Sequence, residues 1–400
     1  MIADLIMKSK GGFVRSVGII PLIQRKMRKT YKYRLLGNKN TFDKAAKWLT
    51  LCRHLYNAAL EQRISIYRQD KGSISCYSQT SQLPELKAAF PEYREIGSQV
   101  LQQVLERLDK AYQSFFRRLK SKNVKAGFPR FKGGNRYDSF TLKQAGWELE
   151  GKYLTIKKVG RFKLRLSRPI EGDIKTITIR RTPTGKWYVC FSCNNVPEKK
   201  LGESKTTIGI DVGIKSFLVD SEGNKVDNPA YLRESERLLR RRQRTLCRRG
   251  KGSKRRNKAR VLVAKTHEKV SDQRRDFLHK VANQYIANYG LIFVEDLNIE
   301  GMVKNRHLSK SISDSSWGTF FNLLAYKAEE AGRQVIKVPA YSTSQICSGC
   351  GEKVPKSLAV RIHTCPFCGL IMDRDENAAR NISQVGQTCQ ALTPALVGVA

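Results

Sequence analysis

Two short repeats near the C-terminal end limit what this 400-residue chain can become: Cys347 and Cys350 in CSGC, then Cys365 and Cys368 in CPFC. Two CxxC pairs separated by a short loop have the spacing of a tetrahedral thiolate cage, that of a structural Zn²⁺ ribbon. Such a site has no open coordination position, so it folds the chain and leaves chemistry to other residues. Asp375 follows Cys368 closely, in the helix-forming run DRDENAARNI. A metal-stapled loop set just before an acidic helix is expected to be an insertion, here over 345–370, in a larger domain beside that domain's active site.

Charge narrows the partners. The chain holds 75 Lys and Arg against 35 Asp and Glu, a formal net charge of +40. Self-repulsion on that scale opposes the compact state, and a polyanion relieves it, so nucleic acid is the expected partner. Apolar content of 40% fits a globular chain with two or three cores. No stretch has the length or purity of a spanning helix, which argues against a membrane. The other six cysteines (Cys52, Cys76, Cys190, Cys193, Cys247, Cys389) have no framework-like spacing, as expected of a reducing, cytoplasmic setting. Cys190 and Cys193 form a third CxxC, but in the alternating run WYVCFSC they face opposite ways and read as packing. The first 26 residues are expected to be an extension. FVRSVGIIPLI is faintly signal-like, yet Arg15 interrupts it and no small-residue cleavage site follows.

Along the rest of the chain, KTYKYRLL alternates as a basic strand. Helical spacing recurs over 42–67 and again from Val100 to Leu119, with a Ser/Gln-rich connection at 71–84 between them. Residues 128–195 read as short strands, including a hairpin around Pro183-Thr184-Gly185. A small β-barrel over 27–40 and 125–198, interrupted by helices over 41–124, is the expected arrangement, and 196–205 reads as a linker. Beyond the linker the pattern is α/β: strands TTIGID and FLVDSEG, a long basic helical stretch over 231–288, the continuous apolar strand GLIFVEDL, a helix over 319–331 and the strand RQVIKVPA.

Three acids stand out by position. Asp211 ends IGID, Glu295 ends IFVE, and Asp375 opens DENAARNI. Desolvating a carboxylate at the end of a buried strand is expensive. Three that converged would be tolerable only with divalent cations between them, the requirement of a two-metal phosphoryl-transfer site. Three acids without histidine suit Mg²⁺. Asp296 and Asp373 are rival candidates. The order strand-Asp, hairpin, helices, strand-Glu, helix, strand, helix-Asp is that of a ribonuclease H-like fold.

IGIDVGIKSF, VEDLNIEGM, CSGC…CPFCG and DRDENAARNI, in that order, resemble the transposon-encoded TnpB (OrfB-type) family, relatives of type V CRISPR effector nucleases. KTYKYRLL and GFPRFKGG extend the resemblance over about 27–385. It implies a wedge-like barrel, a helical recognition lobe and a RuvC nuclease domain over 205–344 and 371–385 that carries the zinc ribbon. It implies an RNA guide from the transposon end and double-stranded target DNA flanked by a transposon-adjacent motif. Carried over by position, Asp211, Glu295 and Asp375 are the catalytic acids and ligands of two Mg²⁺ ions. Cys347, Cys350, Cys365 and Cys368 are the ligands of one Zn²⁺. The tail over 386–400 falls outside the resemblance, and a monomer is the expected state.

Nucleic-acid surfaces are read from charge. Residues 233–260 hold fourteen Lys and Arg. Like charges at i, i+4 destabilise a free helix, so this stretch is expected to order against phosphates, with Arg240, Arg241, Arg242, Arg248, Arg249, Arg255 and Arg256 as contacts. Arg130, Phe131 and Lys132 pair charge with a stacking ring. Arg53, Tyr56 and Asn57 are candidates for reading the adjacent motif, although Tyr56 also lies on an apolar stripe. The leading expectation is an RNA-guided DNA endonuclease. A guided DNA-binding regulator without cleavage and a transposase-type protein are the alternatives.

Overall fold

The computed structural model describes residues 27–397 except 122–125, 135, 341–342 and 358–359, with side chains as far as residue 390. The expected N-terminal extension lies outside the described residues. The chain divides into two compact units, the break falling between Pro197 and Glu198.

In the first unit, alternation in KTYKYRLL makes β1 (Met27–Leu36) and buries Tyr31, Tyr33 and Leu35 on one face. Six further strands join it: β2 (Ser139–Leu142), β3 (Trp147–Glu150), β4 (Tyr153–Ile156), β5 (Gly160–Arg165), β6 (Asp173–Arg181) and β7 (Trp187–Val196). Their order is β2-β6-β7-β1-β5-β4-β3, antiparallel throughout, in a nearly closed barrel. The β6–β7 hairpin turns through Gly185 at φ +85°. Along β7, Cys193 points into the core while Cys190 stays half-exposed, as strand alternation requires.

Between β1 and β2 the chain inserts helices. The side chain of Asn38 caps α1 (Lys39–Asp70) by accepting from Thr41 N at 2.8 Å. The stripe Val100, Leu101, Val104, Leu105 and Leu108 of α2 (Ser98–Lys120) is buried in the same core. The Ser/Gln-rich connection is itself helical over Cys76–Ser81 and Leu83–Ala89, which corrects its reading as a plain connection. Its polar residues misled because Gln79 turns inward: the amide donates to Ala59 O at 2.9 Å and accepts from Arg63 Nε at 2.8 Å.

The second unit is built on β8 (Thr207–Val212), β9 (Ser216–Asp220), β10 (Lys225–Asp227), β11 (Leu291–Glu295) and β12 (Gln334–Val338). The order is β10-β9-β8-β11-β12, with β9 antiparallel to its neighbours and β8, β11 and β12 parallel. The basic stretch breaks into α3 (Tyr231–Cys247) and α4 (Lys254–Asn288) around Gly250 and Gly252. With α5 (Trp317–Ala331), α4 covers one sheet face, packing Leu278, Val281, Phe320 and Leu324 on Ile292 and Val294. The alternate residues of β11, Leu291 and Phe293, pack with Ile382 of α6 (Arg374–Val397) on the other face. A strand covered on both sides has no polar face, which is why LIFV is continuous.

Helix α6 lies unusually close to the sheet. A Cβ on Gly209 of β8 would stand 2.2 Å from Ala379 O and 2.7 Å from Ser383 N, and one on Gly386 would meet the Phe293 ring at 2.1 Å. The helix runs unbroken past residue 386 to Val397, and Gln387 Nε2 donates to Thr207 Oγ1 at 2.9 Å. The Gly209→Ala change must push α6 off the sheet. It is expected to destabilise this unit by about 3 kcal/mol, the upper end for overpacking, read as a lowered urea midpoint in circular dichroism.

Candidate active site

The sheet brings the first two acids together by register. Ile210 of β8 pairs with Val294 of β11, so the next residues, Asp211 and Glu295, follow on neighbouring parallel strands, which lie about 4.8 Å apart. The third acid arrives on α6, which runs antiparallel to β8: Gln387 lies at Thr207, and Ala379 and Ser383 lie at Gly209. Each four helical residues advance about 6 Å, roughly what two strand residues cover. The first turn of α6, at the Asp211 end of β8, carries Asp375, whose charge Asp211 feels.

The rival acids are engaged elsewhere. Asp296 is exposed and pairs with Lys337 at 2.9 Å. Asp373 caps α6, accepting from Asp375 N at 2.8 Å, and pairs with Lys225 at 2.6 Å. Burial alone would raise its pKa, but Lys225 and the helix amides hold it below the usual range. Asp220 also ends a strand, yet it closes the β9–β10 turn through the amides of Glu222 and Asn224 and accepts from Tyr285 Oη.

The electrostatics of the remaining three are those of crowded acids. Burial raises Asp211 well above the ordinary carboxylate range, and the charges of Glu295 and Asp375 raise it further. Burial also raises Glu295, against which the hydroxyl of Thr343 works by donating to Oε1. Asp375 Oδ1 accepts from Arg374 Nε at 3.2 Å and Nη2 at 3.0 Å, while Arg361 Nη1 stands 3.6 Å from Oδ2. Two cations thus balance the cluster from the α6 side. Such a donor set fits divalent cations: hard oxygen ligands carrying more negative charge than their surroundings neutralise.

The cysteines form a second centre. Cys347 Sγ lies 3.6 Å from Cys368 Sγ, Cys350 Sγ lies 3.6 Å from Cys365 Sγ, and all four sulfurs fall within 4.8 Å of one another. Tetrahedral Zn–S bonds of about 2.3 Å require sulfur separations near 3.8 Å, so the cage fits zinc. Among the described residues no other group of three or more His, Cys, Asp or Glu is so close, and the three acids are set wider. Two matching turns build the cage. Cys347 N donates to Glu352 O and Gly351 N to Cys347 O; Cys365 N donates to Leu370 O and Gly369 N to Cys365 O. Both turns end on a left-handed glycine, Gly351 at φ +80° and Gly369 at φ +73°. The ribbon strands β13 (Ile362–Thr364) and β14 (Ile371–Asp373) then lead directly into α6.

The residues read as nucleic-acid contacts divide by exposure. Tyr56 is 2% exposed and packs on Tyr137, which removes it from the surface as a stacking ring. The amide of Asn57 is spent on the GFPRFK loop, donating to Lys132 O at 3.0 Å and accepting from Lys132 N at 2.8 Å. Lys132 is half-buried and its Nζ lies over the Tyr56 ring, whereas Arg130 and Phe131 are exposed and Arg53 is half-buried. On the basic hairpin, Arg240, Arg241, Arg248, Arg249 and Arg255 are exposed, Arg240 bridging to Glu236 at 2.5 Å. Arg242 donates to Leu262 O and Thr266 Oγ1, and Arg256 donates to Leu246 O and Arg249 O, so these two tie α3 to α4. Thr343, Arg361 and Arg374 escaped sequence reasoning, since a lone Thr or Arg in a basic chain carries no spacing signal.

The OrfB_IS605 family model, described as "Probable transposase", matches residues 190–306, and the "Cas12f1-like, TNB domain" model matches 317–382. A Streptomyces pristinaespiralis protein named "Putative RNA-guided DNA endonuclease" is 30% identical over 380 residues, 92% of each chain. The chain belongs to the TnpB-like OrfB family. An Escherichia coli member of that family, "Putative RNA-guided DNA endonuclease InsQ", is 29% identical over 90% of this chain and 93% of its own. Among solved structures, Cas12f1 in its sgRNA–target DNA complex gives a TM-score of 0.55 at 15% identity, covering 90% of this chain and 99% of that one. The TnpB-like chain thus shares the fold of a type V effector. A third family model, HTH_OrfB_IS605 or "Helix-turn-helix domain", matches 27–72. In this chain those residues form β1 and the single helix α1, with no helix–turn–helix. No helix among the described residues is long and apolar enough to cross a membrane.

The raised Asp211 has a sign that can be tested. An acid whose folded pKa exceeds its unfolded value binds more protons when folded, so it favours the fold at low pH and loses that contribution as pH rises through the folded value. In metal-free protein, Asp211→Asn is expected to raise the calorimetric melting midpoint at pH 8 by about 2–4 °C, roughly one kcal/mol in a unit of this size. The gain should shrink as pH falls toward the ordinary carboxylate value of 3.8.

Proposed function

We propose that this chain is an RNA-guided DNA endonuclease that hydrolyses target DNA at a RuvC-type site formed by Asp211, Glu295 and Asp375. The observation that carries the reading is electrostatic: Asp211 feels both Glu295 and Asp375 as nearby negative charges at the end of a mixed sheet. Asp211, Glu295 and Asp375 would hold two Mg²⁺ ions. When bound, such a pair supplies a hydroxide nucleophile at neutral pH and stabilises the departing oxygen of the phosphodiester.

The chain's own residues do the rest. Asp211 must give up its proton before it can act as a ligand, so Mg²⁺ binding should release protons and strengthen as pH rises. Arg374 and Arg361 pair with the Asp375 carboxylate and hold its side chain in place. The exposed Arg240, Arg241, Arg248, Arg249 and Arg255 present charge to a guide–target duplex, read by shape and backbone rather than by sequence. Arg53, Arg130 and Phe131 remain the candidates for the DNA flank, the proposed site of transposon-adjacent motif recognition. In domain terms, the barrel would serve as the wedge, α1 and α2 as the recognition lobe and the second unit as the nuclease. The names of the relatives and the nucleic acids in the Cas12f1 complex support this reading, as does the +40 charge.

The test is a plasmid-cleavage assay with protein and the RNA that co-purifies with it. Asp211→Ala is expected to reduce Mg²⁺-dependent cleavage below detection while RNA binding in a filter assay stays unchanged. Cleavage by that variant at the wild-type rate would remove Asp211 from the mechanism. Guided DNA binding without cutting by the wild-type protein would favour a regulator instead.

A further inference from the structure

Thr343 stands just before the first cysteine pair, 9% exposed, and its Oγ1 donates to Glu295 Oε1 at 2.5 Å. Packing alone does not call for a hydroxyl there, because valine would fill the same volume. Three further contacts fix the segment that carries it. Asn381 of α6, 4% exposed, donates through Nδ2 to Thr343 O and to Ile346 O, both at 2.7 Å. Asn377, one turn earlier and fully buried, donates to Ile346 O at 2.7 Å and accepts from Ser348 N at 2.9 Å. Ile346 and Ser348 flank the zinc ligand Cys347. The ribbon, α6 and the hydroxyl on Glu295 are therefore one connected set of hydrogen bonds.

A glutamate at a strand end has three rotatable bonds and many orientations. Anchoring Oε1 selects among them and leaves the second carboxylate oxygen for a ligand role. We propose that Thr343 is a positioning residue that aims the Glu295 carboxylate, and that the buried amide of Asn381 on α6 holds Thr343 in place and ties it to Ile346 of the zinc ribbon. The inference rests on Glu295 being a metal ligand, as proposed above. It gives the ribbon a role beyond folding: it sets the geometry of an acid it never touches. Outer-shell partners of this kind change metal affinity or activity about 10–100-fold.

The experiment uses the full-length RNA-bound protein and the variants Thr343→Val, Thr343→Ser and Glu295→Gln. Mn²⁺ binding is measured by calorimetry without DNA, and the Mg²⁺ concentration for half-maximal cleavage is measured separately. Thr343→Val is expected to weaken Mn²⁺ binding and raise the Mg²⁺ requirement about tenfold, with zinc content and melting midpoint unchanged. Thr343→Ser should bring both back to within about twofold of wild type, because it restores the hydroxyl. Wild-type behaviour of Thr343→Val overturns the proposal. So does a serine variant as impaired as the valine one, which would trace the defect to lost packing. Glu295→Gln separates the inference from its premise. If that variant binds Mn²⁺ and cleaves as wild type, the role of Glu295 itself falls. If it is impaired while Thr343→Val is not, only the assignment of Thr343 falls.

Discussion

The contact between α6 and β8 is the constraint on which the second unit depends. Asp211 and Glu295 come together through ordinary parallel pairing. Asp375 lies about 80 residues further on, beyond a zinc-binding insertion, and reaches them only because a helix can press against a strand that lacks a Cβ at position 209. Gly386 repeats the arrangement against Phe293, two turns below Ala379. Fixing the helix at both points sets its rotation as well as its distance, so the first turn can carry one acid inward while Asp373 caps the end. Backbone close approach at two glycines is what brings the third acid to the other two.

The acids, once gathered, oppose the fold that gathers them. Burial and mutual repulsion raise Asp211, and the neighbouring cations Arg374 and Arg361 offset only part of that. Local destabilisation of this sort is common where a site is prepared for a charged ligand. The surrounding structure tolerates it because both faces of the sheet are covered and β11 is apolar from Leu291 to Val294. The ribbon adds an independent anchor, tied to α6 by Asn377 and Asn381, which explains in physical terms why the run ENAARNI spaces two buried asparagines one turn apart.

Sequence reasoning reaches features whose physics is local. The CxxC pairs announce a cage because four thiolates at that spacing have few other uses, and the strands announce themselves where apolar runs halt at an acid. The β6–β7 hairpin was legible from Pro183-Thr184-Gly185 because a turn needs a left-handed residue. What stayed hidden depends on long-range contacts. The connection after α1 looked like a loop because its glutamines and serines are polar, yet Gln79 satisfies its amide inside the core. Tyr56 sat on an apolar stripe and on a candidate interface at once, and burial decided between them. Arg242 and Arg256 were indistinguishable from their neighbours until their carbonyl partners were seen. Thr343 left no trace at all, since its partner lies 48 residues away.

The break between Pro197 and Glu198 carries a consequence for how the molecule comes apart. Each half closes its own hydrophobic interior: Tyr33, Phe162 and Phe191 on one side of the break, Phe217, Phe293 and Phe320 on the other. Cooperativity follows shared cores, and a chain with two of them need not melt in a single step. Damage to the barrel can then leave the three acids and their sheet folded, and the loss of zinc can unravel the second unit while the barrel persists.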